Sequence, residues 1–348
     1  MKKIYDVYSK IMSKENLYRS AYMAARGRRY RDTTADFNFH LEEEIDRLHN
    51  ELATRSYCHG KYRIFTIHDP KKREIAAAPF RDRVVHHAVH DVIEPLIDKS
   101  FIYDSYACRN DKGTHKAVDR AQSFLRANRF CLHGDVKKYF YSINHDILKG
   151  ILRMRIEDGN LLWLLDKIVD SAVSLRGLPI GNLTSQFFAN LYLSELDYFV
   201  KFDLCRCYYL RYMDDFLVFS KDKKELSEVK VKIRGFLENS LSLNLHEGKS
   251  QIYSTKSGIK FLGFRIYKEY RRLASDNVRC FRKRLKRFAY LFENGKIGAK
   301  EISDSVRCWT AHSEYANTKS LRYNIWSRLT AKNADFGNLL KDTLLVCG

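Results

Sequence analysis

Between Asp36 and Ala53, Phe37, Leu41, Ile45, Leu48 and Leu52 recur at helical spacing and predict one amphipathic helix. The period changes between Tyr62 and Ala78, where two short β-prone runs flank Asp69-Pro70-Lys71-Lys72. Proline and charge at that place predict a turn, and so a basic hairpin. From Arg81 to Glu94, Val84, Val85, Ala88, Val89, Val92 and Ile93 return to one helical face, which Pro95 is expected to end or kink. Phe130-Cys-Leu-His-Gly-Asp135 runs from an apolar strand into a carboxylate, then an aromatic pair at Tyr139-Phe140. Phe188, Tyr192, Leu196, Phe199 and Val200 fit the buried face of a helix after Ser185-Gln186. Two further β-prone runs span Cys207 to Ser220 and meet at Met213-Asp214-Asp215, where the turn is expected. Past residue 270, Arg279, Arg282, Lys283, Arg284, Lys286 and Arg287 interleave with Phe281, Leu285 and Phe288 in a basic amphipathic helix. That helix is either a solvated charged face or a surface that tracks phosphates.

Charge narrows the choice of partner. The 348 residues hold 62 Lys and Arg against 42 Asp and Glu, a formal charge of +20, which attracts polyanions. Nucleic acid is the expected partner. No apolar stretch approaches the roughly 20 residues of a spanning helix. The N-terminus Met1-Lys2-Lys3-Ile4-Tyr5-Asp6 has no apolar run behind its charges, so no leader and no membrane are expected and the chain reads as cytoplasmic. Only 4 prolines occur and no Gly/Ser-rich linker, so the domains are expected to pack together. The 8 cysteines follow no disulfide framework and are expected to be reduced. Cys205 and Cys207 lack zinc-ligand spacing. His86 and His90 stand one turn apart without a third ligand, which favours packing or phosphate contact over a metal.

Asp214 and Asp215 carry the strongest chemical signal. Adjacent acids repel and raise each other's pKa unless cations neutralise them, although Asp is also common in ordinary solvated turns. Asp135, at the end of another strand, changes the balance. In a two-metal site, carboxylates on neighbouring strands hold hard cations about 3.5–4 Å apart, one activating an attacking oxygen and one stabilising the leaving group. Oxygen ligands with open positions point to Mg²⁺, two ions, with Mn²⁺ as the alternative.

Tyr212-Met-Asp-Asp215, with Asp135-Val-Lys-Lys-Tyr-Phe140 and Gly177-Leu-Pro-Ile-Gly-Asn-Leu-Thr-Ser-Gln186, resembles the palm of a reverse transcriptase. Many such enzymes have Gln where Ile180 stands and Ser-Pro where Ser185-Gln186 stands; Ile-Gly-x-x-x-Ser-Gln is similar to the enzymes of diversity-generating retroelements. The resemblance extends to Asp69-Pro-Lys-Lys-Arg73, Phe80-Arg-Asp-Arg-Val-Val-His-His87 and Tyr103-Asp-Ser-Tyr-Ala-Cys-Arg109 in the fingers. Gly258-Ile-Lys-Phe-Leu-Gly263 resembles the primer-grip hairpin, and Trp309-Thr-Ala-His312 with Tyr315-Ala-Asn317 the thumb.

The resemblance implies that Asp135, Asp214 and Asp215, with the Val136 carbonyl, hold metal, and that Lys249 is the general acid for pyrophosphate. It assigns Arg73 to the triphosphate, Phe140 to excluding a 2′-hydroxyl, and Ile180, Gly181 and Gln186 to the nucleotide site. The companion finger lysine has no counterpart, with His68, Lys71 and Lys72 nearby. Tyr212, Met213, Leu262, Gly263, Arg279, Lys283 and Arg287 fall where the family contacts nucleic acid. An isoleucine at 180 supplies shape without a hydrogen bond, so fidelity is expected to be low. The implied partners are dNTPs, template RNA, the RNA/cDNA duplex and a small basic oligomeric accessory protein.

The expected architecture is α+β, a right-hand polymerase fold. Residues 1–130 form an N-terminal extension and fingers; residues 131–270 form an antiparallel palm with a finger insertion around 145–180 and the primer-grip hairpin at 258–267; residues 271–348 form a helical basic thumb. Alternatives are a retron, group II-like or phage-defence reverse transcriptase, or a noncatalytic RNA-binding protein on the same scaffold. The short stretch up to Gly348 is expected to leave no room for an intron endonuclease region, and the Val-Thr-Gly triplet of retron enzymes is absent.

Overall fold

A computed structural model describes residues 3–68, 72–172 and 174–345. The chain divides into two compact units: Met1–Gly113, His133–Leu217 and Ser227–Gln251 form the first, and Thr114–Leu132, Val218–Leu226 and Ile252–Gly348 the second.

The first unit opens with helices Tyr8–Met12 and Lys14–Ala25, the latter capped by the Ser13 hydroxyl accepting from the Asn16 N–H. The Asn16 amide then donates to the carbonyls of Ile11 and Ala88, fixing this pair on the helix Phe80–Asp98. The stripe from Phe37 to Leu52 is two helices, Asp32–Phe39 and Leu41–Ala53, because His40 leaves helical geometry at φ −104, ψ 31. Phe37, Ile45, Leu48 and Leu52 are nevertheless all buried.

Strands β1 (Arg63–Ile67) and β2 (Arg73–Ala77) pair antiparallel, with Ile67 opposite Arg73. The turn expected at Asp69-Pro70-Lys71 lies outside the described residues. Pro95 does not end its helix, which runs on to Asp98. A proline removes one backbone donor. Here Ile93 and Ile97, on either side of it, are both buried.

Strands β3 (Phe130–Asp135), β4 (Tyr209–Tyr212), β5 (Asp215–Ser220) and β6 (Gln251–Ser254) form a sheet of order β4-β5-β3-β6. The helix expected after Ser185-Gln186 breaks at Leu193 into Leu183–Tyr192, Ser194–Tyr198 and a wider turn at Phe199–Asp203. Phe188, Tyr192, Leu196 and Val200 stay in the core, while Phe199 stacks on Phe236 with ring centres 4.3 Å apart.

In the second unit, β7 (Ile259–Phe261), β8 (Phe264–Ile266) and β9 (Arg271–Leu273) form an antiparallel sheet. Leu262 and Gly263 both have positive φ, 47° and 86°, the conformation that lets a two-residue loop follow the twist of a hairpin. Gln122, on the helix Thr114–Ala127, donates to the Tyr267 carbonyl. The basic helix Ser275–Glu293 buries Phe281 and Leu285 but leaves Phe288 half-buried. Phe281 stacks on Trp309 at 3.7 Å, and the Trp309 indole donates to Asn277.

Candidate functional site

Gly134 sets the site's geometry. A Cβ there would lie 2.1 Å from the Phe216 ring, so only glycine lets β3 and β5 approach as they do. As hydrogen-bonded neighbours, these strands bring Asp135, at the end of β3, to the turn of the β4–β5 hairpin. The Val136 N–H donates to the Asp214 carbonyl at 3.3 Å. Met213, at the tip, takes φ 54.

Each acid has a distinct surrounding. The Lys249 ammonium donates to both oxygens of Asp135 at 2.9 Å, and is itself half exposed. Its loop is fastened to β3: the His246 N–H donates to the Asp135 carbonyl at 2.7 Å, and the Asp135 N–H to the Ser250 hydroxyl at 3.2 Å. His133, two residues before Asp135, meets Asp215 at 2.5 Å through Nε2. Burial pushes the Asp214 carboxyl up to about 6, with the charges of Asp135 and Asp215 adding to the effect and Lys249 opposing it. Among the described residues no three His, Cys, Asp or Glu side chains converge closely enough to enclose an ion as they stand. Asp135 is turned onto Lys249 and Asp215 onto His133.

The support beneath the hairpin escaped the sequence analysis. Arg211 on β4 is fully buried and forms an ion pair with Asp197 at 2.6 Å. Burial would lower its pKa, but the Asp197 charge overrides this and holds the guanidinium above its ordinary value. Arg211 also donates to the Asn190 side chain and to the Met213 carbonyl, at 2.9 and 3.1 Å. Tyr209 donates to the same Asp197. The only signal in the sequence is an arginine inside an apolar run.

Of the residues expected at a nucleotide, Ile180 and Phe140 are tied to neighbouring segments through their backbone carbonyls. The Ala76 N–H, on the strand that Arg73 begins, donates to the Ile180 carbonyl at 2.9 Å. The Leu178 N–H donates to the Phe140 carbonyl at 2.7 Å. Gly181, at φ 120, lies so close to Ile75 that a Cβ would come within 2.9 Å of its methyl. Gln186 is exposed and its amide oxygen accepts from the Cys108 thiol. Arg73 is exposed on its edge of the hairpin.

A family model for the reverse transcriptases (RNA-dependent DNA polymerases) matches residues 67–266, more than half of the chain. The chain belongs to this family. It is 26% identical over 285 residues to protein YkfC of Escherichia coli (strain K12), covering 68% of this chain and 75% of that protein. It is 23% identical over 375 aligned residues to the group II intron-encoded protein LtrA of Lactococcus lactis, covering 86% of this chain but only 59% of LtrA. Among solved structures, the apo telomerase of Candida tropicalis aligns with a TM-score of 0.50 at 13% identity, over 81% of this chain and 64% of the telomerase. The fold is the right-hand polymerase fold, α+β with antiparallel sheets.

In this member of the family the expected nucleic-acid residues fall in both units. Tyr212 and Met213 belong to the β4–β5 hairpin of the first. Leu262 and Gly263 form the β7–β8 turn of the second, and Arg279, Lys283 and Arg287 lie exposed on the helix Ser275–Glu293. Arg279 is paired with Asp276 at 2.5 Å. Cys205 and Cys207 are free and exposed. No helix of the described residues is long and apolar enough to cross a membrane.

Proposed function

We propose that the chain is an RNA-directed DNA polymerase that copies a template RNA into cDNA as the low-fidelity enzyme of a diversity-generating retroelement. The observation that carries the polymerase reading is the meeting of Asp135, Asp214 and Asp215 at one end of the sheet, where the acids crowd negative charge that divalent cations would relieve. The donor set suits Mg²⁺, or Mn²⁺, with Asp135, Asp214, Asp215 and the Val136 carbonyl as ligands. Two such ions, when bound, would supply activation of the primer 3′-oxygen and stabilisation of leaving pyrophosphate.

The chain's own groups do the rest. His133 orients Asp215, and Lys249, once detached from Asp135, carries the proton for pyrophosphate. Arg73 neutralises charge on the triphosphate, as a guanidinium's paired donors allow. Phe140 excludes a ribose hydroxyl, while Ile180, Gly181 and Gln186 shape the space around the incoming base. Template RNA and the RNA/cDNA duplex lie along Tyr212, Met213, Leu262, Gly263, Arg279, Lys283 and Arg287, and a small basic oligomeric protein assists. Fingers, palm and thumb follow the boundaries near residues 130 and 270, and the enzyme works in the cytoplasm.

The retroelement assignment rests on Ile180 and Ser185-Gln186. A group II-like enzyme is the second reading, favoured by the likeness to LtrA. Primer extension on a defined RNA with dNTPs and Mg²⁺, followed by sequencing of the cDNA, separates them. Errors concentrated opposite template adenines support the retroelement enzyme; accurate cDNA supports the group II-like one. No extension, even with accessory protein and native RNA, supports a noncatalytic RNA-binding role.

A further inference from the structure

The helices Ser275–Glu293 and Lys319–Thr330 of the second unit leave a groove of about 1050 Å³ between them. Val278 and Leu285 line it from the first helix, Ile325 and Leu329 from the second. Leu285 and Ile325 are buried and Val278 and Leu329 half-buried, so the floor is aliphatic. The lips are cationic: Arg279, Arg282, Lys283 and Lys286 stand exposed on one side, Arg328 and Lys332 on the other. Asp276 holds Arg279, but Arg282, Lys283, Lys286, Arg328 and Lys332 have no ion pair among the described residues. No described carboxylate lines the groove.

This face of the helix Ser275–Glu293 neighbours the stripe expected at a duplex without being that stripe. Arg279 and Lys283 stand on the lip, but Arg287 lies outside the groove, and Val278, Arg282 and Leu285 line it. A nucleic acid would find the cations, yet its phosphates gain nothing from an aliphatic floor, and no described aromatic side chain lines the groove to stack a base. A small basic protein would be repelled by both lips. An amphipathic helix satisfies floor and lips together: apolar residues at i, i+3, i+4 and i+7 fill a hydrophobic groove, and carboxylates on its flanks meet the lips. From Ser275 to Lys286 the groove follows about three turns, the length of a helix of about 12 to 15 residues. Its volume also exceeds the about 300–1,000 Å³ of small-ligand pockets.

We propose that this groove docks an acidic amphipathic helix of a protein partner, with its apolar stripe on Val278, Leu285, Ile325 and Leu329 and its carboxylates on the two lips. The partner is distinct from the basic accessory protein above, and the docking does not depend on the polymerase reading.

The test uses the full chain and a labelled synthetic peptide of about 15 residues, with Leu on one helical stripe and Glu on both flanks, against a peptide of the same composition in scrambled order. Fluorescence anisotropy, run without metal or dNTPs, should show saturable binding of the ordered peptide and at least about tenfold weaker binding of the scrambled one. Leu329→Gln removes part of the aliphatic floor without changing charge. It should weaken the ordered peptide about tenfold and leave the affinity for an RNA/DNA duplex at the parental value. The pair Arg282→Gln and Lys286→Gln should weaken the ordered peptide and flatten its salt dependence. If Leu329→Gln fails to fold by its thermal midpoint, Leu329→Ala, which brings in no polar group, takes its place. Equal affinity of the ordered and scrambled peptides overturns the proposal and leaves a surface that attracts any acid. A duplex affinity that falls with Leu329→Gln while the peptide's holds overturns it in favour of nucleic acid. Absence of saturable peptide binding overturns it outright.

Discussion

Arg211 and Asp197 form an ion pair 2.6 Å long with both side chains fully buried. The same guanidinium donates to the Met213 carbonyl, so the turn that carries Asp214 and Asp215 hangs from a charge pair in the core. Breaking a buried pair from one side leaves the other charge uncompensated, at a cost of about 3–5 kcal/mol. Arg211→Met should lose that much stability in urea unfolding. The double change Arg211→Met with Asp197→Leu should recover most of it, because no lone charge remains. Primer extension should stay impaired in the double variant, since the Met213 carbonyl has still lost its donor.

Gly134→Ala places a methyl where the Phe216 ring already stands, 2.1 Å from its nearest carbon. Overpacking of this kind costs about 1–3 kcal/mol and here also pushes β3 from β5. Unfolding and extension should both suffer. Adding Phe216→Leu should restore part of each; a single Gly134→Ala variant with parental stability would contradict the packing described.

Local features were readable in the chain, and the contrast with those that were not is physical. The hairpin at Leu262-Gly263 is implied only by the family resemblance, whereas the one at Met213-Asp214 follows from apolar runs and turn residues that lie side by side in sequence. The breaks at His40 and Leu193 do not, because the apolar stripe continues across each and the core accepts both pieces. The place of Asp135 at a strand end was legible, but its contact with Lys249 joins residues 114 apart. Nothing in the run Tyr209-Leu-Arg-Tyr212 names Asp197 as the partner of Arg211. Arg73, Ile180 and Phe140 are grouped only by family resemblance; periodicity alone gives no sign that Ala76 meets Ile180 or that Leu178 meets Phe140.

His86 makes stability depend on pH. Its ring is held at about 3 by burial first, then by His59, His87 and Arg83, against 6.5 in an unfolded chain. Between those values the unfolded state binds a proton that the folded state refuses, so stability falls as pH drops from about 6.5 toward 3, by up to about 1.4 kcal/mol per unit. His86→Phe should flatten that slope, read from urea midpoints across this range. An unchanged slope would show that the ring titrates normally.

Lys249 neutralises Asp135 before any cation arrives. Lys249→Met should therefore lower the Mg²⁺ concentration that gives half-maximal extension. If Lys249 is the proton donor proposed above, the change should also reduce kcat by about 10²-fold or more. A titration of rate against Mg²⁺ reads both; weaker metal dependence with parental kcat would confine Lys249 to charge balance.

The central claim is that Asp135, Asp214 and Asp215 together make a metal-dependent nucleotidyl transfer site. Primer extension on an RNA template, run with Mg²⁺ or with chelator, should be abolished by the chelator in the parent. Asp135→Asn and Asp214→Asn should each abolish it with metal present, while RNA binding and thermal midpoint remain near parental. Extension that persists in either asparagine variant, at parental rate and in folded protein, would contradict the account.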